Sequence, residues 1–208
     1  MIEYVDLTDR YRQVTPSGAN RQWAIHHSAT ATPSSILTRA QEIDILDTID
    51  RYHRSVRKFP MGIGYHVCVF PSGRAYRVGE QGTQRANVAN LNHEVDGLCF
   101  IGTFTPRTPP SADALASAAS VIRASGMPVR GGHGSMPGAN TACPGGWNLG
   151  LLTSLLIENG PMSKPMTTDD ATTIYQFLVG GAGVAPGVSI KAMPESGNRR
   201  VYEVRLPK

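Results

Sequence analysis

Cysteine is scarce. Only Cys68, Cys99 and Cys143 occur in 208 residues, which excludes a small fold stapled by several disulfides. Cys68 and Cys99 lie in strand-like apolar runs, where each reads as a small buried hydrophobe or the two as one bridge. Long apolar runs are also missing: no segment approaches the roughly 20 residues that cross a bilayer. Lys and Arg give a formal net charge of +4 but never cluster into a run, so no nucleic-acid groove is indicated. The opening Met-Ile-Glu-Tyr-Val-Asp-Leu has no basic start followed by an apolar stretch. The expectation is a chain made in the cytoplasm without a secretory signal. What remains is ordinary for a globular protein, at 40% hydrophobic and 17% charged. The length suffices for one core of usual size plus an appendage.

Residues 1–21 read as a polar extension in which Tyr4, Val5 and Leu7 can dock. Gln22 to His27 is a short apolar-centred strand that stops at Ser28-Ala-Thr-Ala-Thr-Pro33. A helix follows, with Thr38 and Gln41 as a capping box. Ile43, Leu46, Ile49, Tyr52 and Val56 recur at helical steps, and the helix ends before Pro60 and Gly62. Tyr65–Phe70 and Ala75–Val78 form a hairpin around Pro71-Ser-Gly73. Residues 80–96 are polar loop, and Gly97–Phe104 is a continuous apolar run typical of a doubly buried strand. Ser111 caps a helix through Ile122, and Trp147–Ile157 is a last amphipathic helix with Leu149, Leu152, Leu155 and Leu156 inward. Alternating strands and helices predict an α/β fold, a mixed central β-sheet flanked by helices, over residues 22–160. Beyond Gly160-Pro161, residues 161–208 read as a small α+β appendage: a short helix from Thr167 to Leu178, then a hairpin of residues 188–193 and 200–206.

Three donors stand out. His133 and Cys143 bracket a glycine- and proline-rich run, and the upstream strand carries His26 and His27. Two imidazoles and a thiolate form a zinc ligand set that leaves one coordination position open. Neighbouring strand residues point to opposite faces, so one of the paired histidines can face a metal. His26 is the choice, because His27 shares a face with Ile25. Cys143, in Ala-Cys-Pro-Gly just before the last helix, is expected to have its pKa lowered by the helix N-terminus.

Four motifs occur in order: Ile-His26-His-Ser-Ala-Thr, Ile63-Gly-Tyr-His-Val, Gly97-Leu-Cys-Phe-Ile-Gly, and His133 followed by Thr141-Ala-Cys-Pro-Gly. Over roughly residues 20–158 the chain resembles the zinc-dependent N-acetylmuramoyl-L-alanine amidases of the type 2 amidase and peptidoglycan recognition protein family. The resemblance implies Zn2+ held by His26, His133 and Cys143. It also implies a catalytic Tyr65 beside the attacking water and Thr141 near the substrate carbonyl, where relatives carry Lys, Arg or Thr. In such a site zinc-activated water attacks the amide joining N-acetylmuramic acid to L-alanine in peptidoglycan. Arg85-Ala-Asn87-Val departs from the Ala-His of many relatives, whereas Asn92 matches their asparagine. The general acid is open between Glu80 and Glu94, in a loop that can reach the site.

A mildly basic surface suits approach to an anionic wall polymer. The implied setting is a phage or prophage lytic enzyme acting on the cell wall after release from the cytoplasm. Two alternatives stay open: a muropeptide-binding module that does not cut, or a virion component using the fold as scaffold.

Overall fold

The computed structural model describes residues 3–12, 22–158, 189–192 and 202–205. The chain divides into two compact units, Met1–Asn159 and Gly160–Lys208. In the first, six strands form one sheet in the order β1-β4-β3-β5-β2-β6. They are β1 (Tyr4–Asp6), β2 (Gln22–His27), β3 (Val67–Val69), β4 (Ala75–Arg77), β5 (Val95–Phe100) and β6 (Val129–Gly132). The β3–β4 hairpin is antiparallel and every other pairing is parallel. With α1 (Arg39–Ser55), α2 (Ala112–Ser125) and α3 (Gly150–Glu158), this is the mixed α/β sheet expected from the alternation of elements.

Period-2 alternation decides which side chains each helix covers. Trp23, Ile25, Val67, Val69, Leu98 and Phe100 face α2 and α3, meeting Leu115, Ala118, Ile122 and Leu152. Cys68, Cys99, Phe70, Tyr76 and Ile101 face the other way, against Leu46 and Ile49 of α1. His26 falls on this second face. Cys68 and Cys99 are register partners across β3 and β5, and both are free, fully buried thiols in this core. The Thr38–Gln41 capping box starts α1, and the Ser111 hydroxyl accepts from Ala114 N at 3.1 Å to start α2. Glu42 is buried under α1, accepting from Ser72, Arg74 and the Tyr76 hydroxyl.

Several boundaries differ from expectation. Tyr4–Asp6 is an edge strand on β4, not merely a docking extension. β5 begins at Val95 and ends at Phe100, because the buried Asp96 is accommodated by His66 and by the amide of Gly82. β6 is a strand without a sequence signal, since Val-Arg-Gly-Gly carries one apolar side chain. α3 starts at Gly150 rather than Trp147. The outer end of α1 overhangs the core, leaving Tyr52 and Val56 about half exposed, at 51% and 60%.

In the second unit β7 (Ser189–Ala192) pairs antiparallel with β8 (Tyr202–Arg205), the hairpin expected there. The helix expected over residues 167–178 lies outside the described residues. No helix among the described residues is long and apolar enough to cross a membrane.

Candidate metal centre

Parallel pairing brings the first two donors together. Ile25 of β2 is the register partner of Gly132 of β6, so the next residues, His26 and His133, lie side by side at the carboxyl ends of the two strands. Their ring centroids are 4.8 Å apart. His133 opens a short 3-10 turn, His133–Ser135, and the chain then loops back so that Gly134 N donates to the Cys143 carbonyl at 2.6 Å. A Cβ at Gly134 would run into the carbonyl oxygens of Thr141 and Cys143. The loop can therefore close only over glycine. Cys143 Sγ ends 3.7 Å from His26 Nδ1 and accepts from the His27 backbone N–H at 3.4 Å.

One donor atom each from His26, His133 and Cys143 lies within 4.8 Å of the others. Zn–S of about 2.3 Å and Zn–N of about 2.0–2.1 Å at a tetrahedral angle require an S···N edge of about 3.6 Å. The His26–Cys143 edge already has that length. Burial drives the His26 pKa down to about 3, with the neighbouring His133 adding to the effect, and burial also lowers His133. Both rings are thus neutral near pH 7, the form that ligates. The donor set fits a zinc ion.

The thiol corrects the sequence expectation. Six residues lie between Cys143 and the start of α3 at Gly150, so no helix N-terminus reaches it. Burial pushes its pKa up to about 11, opposed only by the His27 amide. Without a cation it is a thiol.

His27 projects to the opposite face, where its Nδ1 accepts weakly from Phe104 N at 3.4 Å. The Tyr65 ring sits 5.2 Å from that of His26. Burial raises the Tyr65 pKa well above its ordinary value, and contact with the Cys99 thiol and the nearby Cys143 raises it further, so the phenol keeps its proton. Thr141 Oγ1 accepts from Cys143 N at 3.2 Å, which ties it to the ligand loop while its side chain stays exposed. Neither Glu80 nor Glu94 belongs to the donor group. Glu94 is held by Arg130 at 2.6 Å, which keeps its carboxyl below the usual range.

Two neighbours escaped the sequence reading. His53 of α1 stacks edge-on to Tyr65 with centroids 5.7 Å apart, and its Nδ1 accepts from Gly64 N at 3.1 Å. The step Leu46–Ile49–His53 points it inward, a signal obscured by the apolar Tyr52. Asn87, buried beside His26, had no signal beyond its departure from Ala-His.

No family model matches the chain, and neither does any curated protein. Solved structures do. Drosophila PGRP-LB aligns at 19% identity and a TM-score of 0.61, covering 81% of this chain and 99% of its own. A mutant of that fly protein was solved in complex with tracheal cytotoxin. An N-acetylmuramoyl-L-alanine amidase of Clostridium intestinale aligns at 16% identity and a TM-score of 0.58, covering 76% of this chain and 99% of its own. An endolysin of a Thermus scotoductus bacteriophage aligns at 19% identity and a TM-score of 0.57, covering 74% and 99%. At these identities the likeness establishes architecture: the chain has the fold shared by peptidoglycan recognition proteins and amidase endolysins.

Proposed function

We propose that the chain is a zinc-dependent N-acetylmuramoyl-L-alanine amidase, hydrolysing the amide between N-acetylmuramic acid and L-alanine in bacterial peptidoglycan. In this reading it serves a phage or prophage and acts on the wall after release from the cytoplasm. The observation that carries the reading is the convergence of His26, His133 and Cys143 within 4.8 Å, with both rings neutral and one S···N edge at tetrahedral length. His26, His133 and Cys143 would hold the ion. When bound, zinc supplies a Lewis acid and makes a water acidic enough to attack near neutral pH.

The other residues bind and move protons. Tyr65, neutral and next to the His26 ring, offers an O–H to the reacting oxygen or to the departing amine. In this reading it takes the general-acid role. Thr141 presents a hydroxyl at the rim of the ligand loop, weaker than a cation as an anion donor. The amidase endolysins and the tracheal cytotoxin complex among the structural neighbours support a peptidoglycan substrate.

The test is mass spectrometry of purified peptidoglycan after digestion. New L-alanine amino termini are expected. New reducing sugars would replace the amidase with a glycosidase, and binding without any cleavage would leave only a recognition module.

A further inference from the structure

A neutral imidazole carries one N–H, and whichever nitrogen bears it cannot ligate. In His26, Nδ1 looks toward Cys143 Sγ at 3.7 Å, while Nε2 is buried with no hydrogen-bond partner. Against this ring lies the carboxamide of Asn87, whose Oδ1 is likewise buried and unpartnered. One orphan is a donor in the tautomer that leaves Nδ1 free. The other can only accept.

The carboxamide cannot be turned around. Asn87 Nδ2 donates to the carbonyls of Arg85 and Val95, each at 3.3 Å, which leaves Oδ1 as its one uncommitted atom. The segment is clamped as well, because Asn92 Oδ1 accepts from the backbone amides of Asn87 and Val88, both at 2.8 Å. Gly97 of β5 makes the room: a Cβ there would come within 3.0 Å of Asn87 Cβ and 3.4 Å of Oδ1. Four residues thus hold one oxygen against the buried face of a candidate ligand.

We propose that Asn87 is a positioning residue for His26, its Oδ1 taking the Nε2–H so that Nδ1 presents its lone pair toward His133 and Cys143. The proposal rests on the metal-centre reading and deepens it. A buried N–H with an acceptor keeps its tautomer, whereas one without pays a desolvation penalty and loses its orientation. Partners of this kind are worth about 10–100-fold in metal affinity.

Two measurements on the full chain test it: imidazole nitrogen shifts of His26 in the zinc-free protein, and zinc affinity by chelator competition. Wild type is expected to show His26 as the Nε2–H tautomer. Asn87→Ala is expected to give mixed tautomers and bind zinc about 10–100-fold more weakly. The wild-type tautomer needs no variant, and it carries the test if Asn87→Ala fails to fold. Wild-type His26 found as Nδ1–H overturns the proposal. So does an Asn87→Ala protein that melts earlier yet keeps the pure tautomer and wild-type affinity. A wild type that binds no zinc would overturn the metal centre instead, while its tautomer still decides the role of Asn87.

Discussion

Raising the pH from 6 to 7 should tighten zinc binding about tenfold, or about 1.4 kcal/mol, with one proton released per ion. The number follows from the three donors. Burial keeps His26 neutral down to about pH 3 and lowers His133, so neither ring has a proton to give up across most of this window. Cys143, with its pKa pushed up to about 11, is fully protonated there and must lose its proton to ligate. Each pH unit therefore relieves one proton's worth of competition. Competition with a chelator of known affinity, together with calorimetry in two buffers of different ionisation enthalpy, gives the slope and the proton count. Cys143→Ala should bind weakly and with no slope. A flat profile in wild type would mean the sulfur is not a ligand, or is a thiolate already. A slope near two would mean that a second proton leaves, either from a ring protonated in the free protein or from the zinc-bound water.

Cys143→Ala should also abolish peptidoglycan release while leaving a folded first unit, as judged by circular dichroism and lysis assays. Tyr65→Phe should retain zinc but lose roughly 10²–10⁴-fold in turnover, the range for a positioned proton donor; wild-type rates would show the hydroxyl to be dispensable. Gly134→Ala forces a methyl against the Thr141 and Cys143 carbonyls, and should cost about 1–3 kcal/mol in urea denaturation together with much of the zinc affinity. His66 is fully buried, its Nδ1 accepting from Gly97 N while Nε2 faces Asp96 and the Thr83 carbonyl. Desolvation depresses its folded pKa to about 3, below the unfolded value, so its stabilisation is present above pH 6.5 and is lost as pH falls. The urea midpoint should therefore fall between pH 7 and 5, and an unchanged midpoint would refute it.

Local chemistry was legible where it is self-contained. Thr38 and Gln41 announce the start of α1, Ser111 that of α2, and the β5 core run is apolar enough to read alone. What escaped depends on partners. Tyr4–Asp6 is extended because β4 lies beside it, and Val129–Gly132 because β2 does; neither has a pattern of its own. Asp96 looks like loop until His66 and Gly82 supply its hydrogen bonds. The protonation of Cys143 is hidden for the same reason: Pro144-Gly-Gly defers α3 by several residues, and burial then decides the thiol. The four motifs mark the donors, but Asn87 becomes meaningful only once Gly97 has let it reach the sheet.

His26 and Cys143 touch although 117 residues separate them along the chain. A growing or nicked polypeptide that stops between His133 and the sulfur owns both imidazoles and all six strands of the sheet, yet only two-thirds of the donor group. Competence therefore arrives in one step, when the final loop lies down over Gly134. Proteolysis of that single loop would disarm the molecule without dismantling it.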